Sequence, residues 1–236
     1  RSVSAFLLNR SSDLEIRFDK VHERSKLKTS LSRLVNILFP ELEKLVPTLH
    51  MNSVYALLEE LPGATYIASC HLTHLKKILE DASKGRYSRD KAIEIRNTAI
   101  NSIGAPMAAK SMELVHTIRL IRMLSDEIEE IEESIKSIID KLDSPIMTIP
   151  GINYRMGAMI LAEIGDFNRF DNADKILAYA GLSPPAYQSG QPDSSYSHME
   201  KLGSKYLRYA LFNATKFVCK WDESFGVYLG RKISEG

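Results

Sequence analysis

The chain has 236 residues, of which 44% are hydrophobic and 26% charged, and its formal net charge is +1. This length allows one large or two small domains with packed cores, and the composition excludes a disordered or fibrous protein. The small net charge gives no global argument for a nucleic-acid partner, so that argument depends on local patches. Cys70 and Cys219 belong to no Cys/His cluster, which argues against a disulfide framework or a zinc site. The lack of a membrane span or signal-peptide core favours a cytoplasmic protein without a membrane partner.

The first hundred residues predict helices and almost nothing that resembles a strand. Shorter helices are expected around residues 53–61, where Ser53 is a candidate N-cap, around 72–82, and from Ser88 to Ile103. Before them, a long helix over about residues 13–39 places five apolar side chains on one face: Leu27, Leu31, Leu34, Val35 and Leu38.

Residues 107–142 carry the heptad pattern of a coiled coil. Its apolar positions alternate spacings of three and four, and we call them the heptad seam: Ile121, Leu124, Ile128, Ile131, Ile135, Ile138 and Leu142. The pattern leaves two partners open, a helix of the same chain such as 13–39 or a second copy of the chain. The acidic residues between 126 and 133 are interpreted as the solvated face of this helix rather than as a metal site.

After a boundary at residues 143–145, a Pro-Gly turn at 149–152 opens a helix rich in small apolar residues. This pattern is similar to a helix-hairpin-helix element, whose turn presents backbone N–H groups to a phosphate. Gly151, Ile152, Asn153 and Arg155 are therefore candidate DNA-binding residues. Asn153 stands where many such hairpins have a second glycine. The alternative is a tight turn between helices with Gly151 at positive φ.

A loop broken by two prolines separates a helix predicted over 173–180 from another that begins near Gly203. At 100° per residue, the second helix has an arc that we expect to be wholly basic, which favours a polyanionic partner. That arc contains Lys201, Lys205, Arg208, Lys216 and Lys220. The opposite, buried arc is expected to contain Tyr206, Leu207, Ala210, Leu211, Ala214, Phe217 and Val218.

Several motifs in the second half follow one another in the order and approximate spacing of a known family. They are IPGI at 149–152, AEIGD at 162–166 with RF at 169–170, AYAGLSP at 178–184, QSG at 188–190 and KLGSKYLR at 201–208. Together they resemble the C-terminal domain of the DEDD-type insertion-sequence transposases, the RNA-guided family also called bridge recombinases. FPEL at 39–42 and the long helices resemble that family's coiled-coil middle region.

The resemblance implies a recombinase in which Ser189 attacks a DNA phosphate and forms a phosphoserine link. It implies that Tyr187, Gln188, Ser194 and Ser195 line the loop and contact DNA, and that Lys201, Lys205 and Arg208 contact phosphates. The implied partners are DNA, a guide (bridge) RNA and further copies of the chain, as a dimer or tetramer joined through the coiled-coil helices. The implied setting is a bacterial or archaeal cytoplasm, at the nucleoid when DNA is bound.

The family's magnesium is held by four acidic residues of an N-terminal ribonuclease-H-like domain, and no βαβ pattern of that kind occurs in this sequence. We therefore expect a fragment that binds no cofactor or metal itself and does not cleave DNA alone. The expected fold is all-α, with a helical and coiled-coil region over 1–144 and a C-terminal transposase domain over 145–236. The alternative is a non-catalytic helix-hairpin-helix module for DNA binding and oligomerisation, and a third possibility is an oligomerising scaffold.

Overall fold

The computed structural model describes residues 3–183 and 201–235, with side chains from residue 13 onward within those ranges. Across this part of the chain the fold is all-α, as predicted, and contains no strand. The α-helices are α1 (Val3–Leu38), α2 (Leu42–Leu45), α3 (Asn52–Glu60), α4 (Ala64–Ser69), α5 (Leu72–Ser83), α6 (Arg89–Ile100), α7 (Ala108–Leu142), α8 (Tyr154–Ile164), α9 (Ala173–Tyr179), α10 (Lys205–Trp221) and α11 (Glu223–Glu235). Short 3₁₀ helices lie at Pro145–Thr148 and Phe167–Arg169.

The chain divides into two compact units, and α1 and α7 each contribute to both. The middle unit is Asp19–Ile128, and the terminal unit is Arg1–Phe18 together with Glu129–Gly236. This division differs from the expected boundary between residues 144 and 145 because the last turns of α7 pack with α8 in the terminal unit. There Ile135 and Ile139 share a core with Ala158 and Leu161. The boundary at 144/145 stays a prediction of where the transposase domain begins.

The core of the middle unit is built on the predicted apolar face of α1. Leu31, Leu34, Val35 and Leu38 are buried, and Leu27 packs against them from a partly buried position. Each buried aliphatic side chain of this size contributes about 1.5–3 kcal/mol to folding. The same core takes in buried residues from α3, α6 and α7, among them Leu57, Leu58, Ile95, Leu114 and Ile118.

The prediction that Ser53 caps α3 is wrong. The helix begins one residue earlier, at Asn52, its N-cap position is Met51, and no side chain makes a cap hydrogen bond. Ser53 lies inside the first turn and is buried. A serine close to the start of a helix usually caps it, but Ser53 lies on the buried side of this helix.

The heptad seam is covered within the chain. In the middle unit, Ile121, Leu124 and Ile128 are buried, and α1 lies antiparallel to α7, since Lys20 bonds Glu127 and Arg24 bonds Ser125. In the terminal unit the seam continues with two more buried residues, Ile135 and Ile138. The partner left open by the sequence is therefore a helix of the same chain. Oligomerisation through these helices stays a prediction.

The core of the terminal unit forms where α8 meets α10. Met156, Met159, Ile160 and Ile164 of α8 pack with Leu207, Ala210 and Ala214 of α10, and all of them are buried. The alanines matter because small side chains at the contact allow two helix axes to approach more closely. In the described ranges no helix is long and apolar enough to cross a membrane.

Candidate nucleic-acid interface

The predicted phosphate-binding turn lies directly before α8. Gly151 has a φ of +95°, and a Cβ atom built on it would lie 2.7 Å from the backbone carbon of Phe217 in α10. Glycine is required at this position for two reasons: the positive φ favours glycine, and the turn touches the α10 backbone. The positive φ agrees with the tight-turn alternative, and the helix-hairpin-helix interpretation is not confirmed.

The start of α8 already uses part of its hydrogen-bonding capacity. The side-chain Oδ1 of Asn153 accepts a hydrogen bond from the backbone N–H of Met156 at 2.9 Å. Ile152 donates its backbone N–H to the carbonyl oxygen of Ile149 at 3.1 Å. Asn153 is thus the N-cap of α8. It stands at the position where many hairpins have their second glycine. DNA contacts by Gly151, Ile152 and Asn153 stay predictions.

Arg155 is engaged with an acidic side chain rather than directed freely to solvent. Its Nη2 lies 3.0 Å from Oε1 of Glu132 on α7, and the same carboxylate oxygen accepts from Nε of Arg17 at 2.8 Å. Nearby, Tyr154 donates a hydrogen bond to Asp140, and this bond raises the pKa of the tyrosine. The carboxylates around Arg155 repel a phosphate, so a DNA contact by Arg155 requires the Glu132 pair to open.

Hydrogen bonds connect the two chain segments that flank residues 184–200, and we call these contacts the anchor. Nη1 of Arg208 lies 2.9 Å from the carbonyl oxygen of Ala180 and 3.5 Å from that of Lys201. The backbone N–H of Ser204 donates to the carbonyl oxygen of Tyr179 at 2.9 Å. Arg208, expected as a phosphate contact, therefore also holds the base of the loop, and its contact with DNA stays a prediction.

Gly203 and Ser204 complete this anchor. Gly203 has a φ of +133°, and a Cβ on it would lie 2.4 Å from the carbonyl oxygen of Tyr179. The hydroxyl of Ser204 donates to Oε2 of Glu163 on α8 and accepts from the backbone N–H of Leu207 at 3.0 Å, which caps α10. One serine thus starts α10 and ties it to α8.

The residues expected to carry the chemistry lie outside the described residues. They are the nucleophile Ser189 and the loop positions Tyr187, Gln188, Ser194 and Ser195. Their roles stay predictions. The described residues on either side of them are Ser183 and Lys201.

The outer side of α10 differs from the predicted arc. Leu207, Ala210, Ala214 and Val218 are buried as expected, but Phe217 is 51% exposed, so its assignment to the buried arc is wrong. The polar arc is also not wholly basic, because two exposed rings lie among the lysines. We call the resulting line the outward stripe: Lys205, Tyr209, Phe212, Lys216 and Lys220, all exposed.

The sequence prediction missed Tyr209 and Phe212 although the signal was available. Tyr209 lies four residues after Lys205, and Phe212 lies four before Lys216, so the helical period places both rings in the basic arc. The predicted arc included only its basic members, although the same helical phase also places Tyr209 and Phe212 there.

The α10 helix carries positive charge without compensation in its own sequence. From Lys205 to Trp221 it has four basic residues and no Asp or Glu. In the described part of the chain, neither Lys216 nor Lys220 forms an ion pair. Their ammonium groups instead lie over aromatic rings, Lys216 at 4.2 Å from the centroid of Phe212 and Lys220 at 5.2 Å from that of Trp221. This surface is suited to a polyanion.

A cavity in the terminal unit is suited to apolar contacts rather than to phosphate. It has a volume of about 730 Å³ and lies among α8, α10 and the 3₁₀ helix at Pro145–Thr148, and its lining is mostly apolar, with Asp143 as the carboxylate among the described lining residues. Within 3–183 and 201–235, no group of His, Cys, Asp or Glu is arranged to hold a metal ion. The outward stripe and the anchored loop base are therefore the candidate interface.

Comparison with known proteins shows that part of the chain is similar to one class of protein, the insertion-sequence transposases. Residues 143–229 match the model of the Transposase IS116/IS110/IS902 family. This range includes α8, the loop with Ser189 and α10.

Individual relatives agree with that class. The chain is 24% identical over 231 residues to the insertion element IS110 uncharacterized 43.6 kDa protein of Streptomyces coelicolor, covering 92% of this chain and 55% of that protein. It is 39% identical over 85 residues to the pilin gene-inverting protein of Moraxella bovis, covering 36% of this chain and 25% of that protein. It is 30% identical over 92 residues to the insertion element IS900 uncharacterized 42 kDa protein of Mycobacterium paratuberculosis, covering 39% and 23%. The chain thus spans about half or less of the relatives it matches.

Proposed function

We propose that this chain is part of an insertion-sequence transposase or recombinase that binds DNA through α10 and breaks and rejoins a strand at Ser189. The observation that carries the proposal is the placement of α10. A helix with four basic and no acidic residues follows directly on the loop that contains Ser189, and both lie within the range that matches the transposase family. The relatives, which include an inverting protein as well as insertion-element proteins, support the same class.

The proposed chemistry is a phosphoryl transfer to serine. Ser189 Oγ attacks a backbone phosphorus, a P–O bond to serine forms, and the P–O bond to the leaving sugar oxygen breaks. The serine proton passes to a base and the leaving oxygen takes up a proton, so the phosphodiester is conserved as a phosphoserine ester. Rejoining reverses these steps with a new sugar hydroxyl, which is why no nucleotide cofactor is needed. Positive side chains stabilise the charge that develops on the phosphate, and Lys201, Lys205 and Arg208 are our candidates.

Magnesium, the guide RNA and a dimer or tetramer belong to the proposal through the family resemblance alone. No group in the described ranges fits a metal ion, and we therefore derive no step through magnesium from these residues. The helix-hairpin-helix module remains the second hypothesis. It predicts an activity that Ser189→Ala leaves unchanged, whereas the first hypothesis predicts that this substitution abolishes the covalent step.

DNA binding is tested on the chain itself. Charge reversal of Lys216 and Lys220 to glutamate should weaken binding to a labelled duplex and make the salt dependence of binding shallower, by about 0.9 in log–log slope for each phosphate that the variant no longer neutralises. The matched control is Lys76→Glu with Lys110→Glu, two partly exposed lysines of the middle unit. Equal weakening in both double variants, or no binding by the unaltered chain, would overturn the assignment of α10.

The nucleophile is tested by trapping a covalent adduct. The chain is supplied with the ribonuclease-H-like domain, guide RNA, Mg²⁺ and target DNA that the resemblance calls for, and the products are separated under denaturing conditions. We expect a protein–DNA adduct that Ser189→Ala abolishes and that Ser183→Ala retains. An adduct that survives Ser189→Ala would exclude this serine, and recombination without any dependence on Ser189 would favour the non-catalytic module.

A further inference from the structure

Charge alone does not explain the outward stripe of α10. Tyr209 is 48% and Phe212 60% exposed, although a helix in a folded protein usually turns such rings inward. The spacings of four, three, four and four residues align the five side chains along one side of α10. At 1.5 Å per residue the line from Lys205 to Lys220 is about 22 Å long. Two rings therefore lie in the middle of a row of ammonium groups.

We propose that the outward stripe binds single-stranded DNA. Bases stack on Tyr209 and Phe212, and phosphates contact Lys205, Lys216 and Lys220. The inference rests on the proposed function, which supplies DNA as the partner. A reaction that transfers one strand by itself to a new partner separates that strand from its complement, and the separated strand presents base faces that these rings can bind.

The neighbours of Tyr209 and Phe212 leave both rings accessible for stacking with a base. Tyr209 meets Phe18 at a centroid distance of 6.1 Å and an interplanar angle of 79°, so a neighbouring ring braces it while about half of the residue stays exposed. Phe212 has the Lys216 ammonium 4.2 Å from its centroid. A lysine side chain is long and flexible, and it can move from the ring to a phosphate when a base takes its place.

Single-stranded DNA fits better than duplex DNA because of what aromatic rings can contact. In a duplex the base faces are already stacked on one another, so they are closed to both rings, and the phenyl group of Phe212 has no donor for the phosphates that most protein–DNA hydrogen bonds reach. Sites for single strands combine a positive track for the backbone with aromatic platforms for the bases. The outward stripe has both parts on one helix.

A protein partner fits less well. Aromatic residues are enriched in protein interfaces, but lysine is depleted there. The outward stripe has three lysines among five residues, and α10 has no acidic residue that would balance them. Charge complementarity therefore favours a polyanion over a protein surface.

The test compares the affinities of the chain for a labelled single strand, the duplex of the same sequence and an RNA of that sequence. Phe212→Leu and Tyr209→Leu, which keep an apolar side chain and remove the ring, should each weaken single-strand binding about tenfold and leave duplex binding within twofold. Tyr66→Leu, at an exposed aromatic residue of the middle unit, is the matched control and should change neither. Trp221, the one tryptophan of the chain, follows Lys220 and gives a second signal through its fluorescence.

Four results would overturn the inference. The first is single-strand affinity that both ring variants leave unchanged, and the second is an equal reduction for single strand and duplex, which would give the rings a structural role. The third is RNA that binds more tightly than the DNA strand and displaces it. The fourth is a dimer that the ring variants dissociate. If the unaltered chain still binds duplex DNA, any of these results leaves the proposed function intact. If the unaltered chain binds neither single-stranded nor duplex DNA, the proposed function fails as well.

Discussion

The middle unit and the terminal unit use their apolar side chains differently. The middle unit packs α1, α3, α6 and α7 around fully buried residues such as Phe39, Leu57 and Ile118. Among its residues one aromatic ring, that of Tyr66, is exposed. The described part of the terminal unit exposes ten aromatic residues, and six of these lie on α10 and α11: Tyr209, Phe212, Phe217, Trp221, Phe225 and Tyr228. A large contiguous patch of apolar surface marks a binding site, whereas singly exposed apolar residues are normal.

Charge follows the same division. In the middle unit, several basic side chains form ion pairs with carboxylates, as in Lys20 with Glu127 and Arg122 with Glu59. On α10 the lysines of the outward stripe lie over rings instead. Part of the middle unit's positive charge is thus paired with carboxylates, whereas α10 exposes lysines beside aromatic rings and has no acidic residue of its own. The following substitutions test that contrast, in order of decreasing effect.

Phe39→Ala should have the largest effect. The ring is fully buried in the middle unit, and deleting a buried phenylalanine side chain costs about 3–5 kcal/mol through reduced burial and the cavity left behind. Urea unfolding followed by circular dichroism measures the change. Tyr66→Ala is the control and should stay within about 0.5 kcal/mol. Similar destabilisation by both would mean that the middle unit is not the closely packed body described above.

Gly151→Ala should destabilise the terminal unit by about 2–5 kcal/mol. A methyl group at this position combines the strain of positive φ, about 1–2 kcal/mol, with overpacking against the α10 backbone, about 1–3 kcal/mol. Gly165→Ala is a matched control, because its φ is +67° but no atom lies within 4 Å of the added carbon. It should show only the strain component in thermal unfolding. Destabilisation at Gly151 no greater than that at Gly165 would contradict the close approach of turn and helix.

Glu132→Gln should cost less, about 1–2 kcal/mol. Arg17 is 8% exposed and would be left without its carboxylate, as would Arg155. Breaking a fully buried ion pair costs more, but the Glu132 side chain is 36% exposed, and solvent reduces the penalty. Glu127→Gln, which opens the more exposed pair with Lys20, should cost about 0–1 kcal/mol.

The same variant bears on the interface. If Arg155 contacts DNA, freeing it from Glu132 should strengthen duplex binding, while Glu127→Gln should not. Chemical denaturation and duplex affinity, measured on both variants, check the two expectations. Destabilisation by Glu127→Gln equal to that by Glu132→Gln would mean that burial of Arg17 does not matter.

Sequence reasoning succeeded where periodicity is long. The apolar face of α1 and the heptad seam of α7 extend over many turns, and most of their residues are buried, with Leu27, Ile131 and Leu142 partly buried. Over such lengths, a single misplaced residue does not change the phase. The all-α class and the bounds of α5, α7 and α9 followed from the same signal.

The unpredicted features depend on tertiary contacts. The backbone of Phe217 next to Gly151, the carbonyl of Ala180 next to Arg208, and the carboxylate of Glu132 next to Arg155 all come from residues more than 20 positions away. Local patterns cannot report such distances. The exposed rings of α10 were missed for a different reason, because only the basic residues of that arc were considered and the two rings that share its phase were left out.

The smallest expected effect is the change in stability with pH that His50 of the middle unit causes. Burial, and secondarily the charge of Lys28, lower the pKa of His50. The unfolded chain therefore binds a proton at this residue more readily than the folded chain does, and stability must fall as the pH decreases from above to below the ordinary histidine value of about 6.5. Unfolding experiments between pH 8 and pH 5 should show that stability depends less on pH in His50→Gln than in the unaltered chain.

Tyr55→Phe, which removes the hydroxyl 3.2 Å from Nδ1 of His50, should keep the pH dependence of stability because burial is the main cause of the lowered pKa. Identical pH profiles for His50→Gln and the unaltered chain would exclude the histidine, and a profile flattened by Tyr55→Phe would assign the shift to the hydroxyl contact instead of burial.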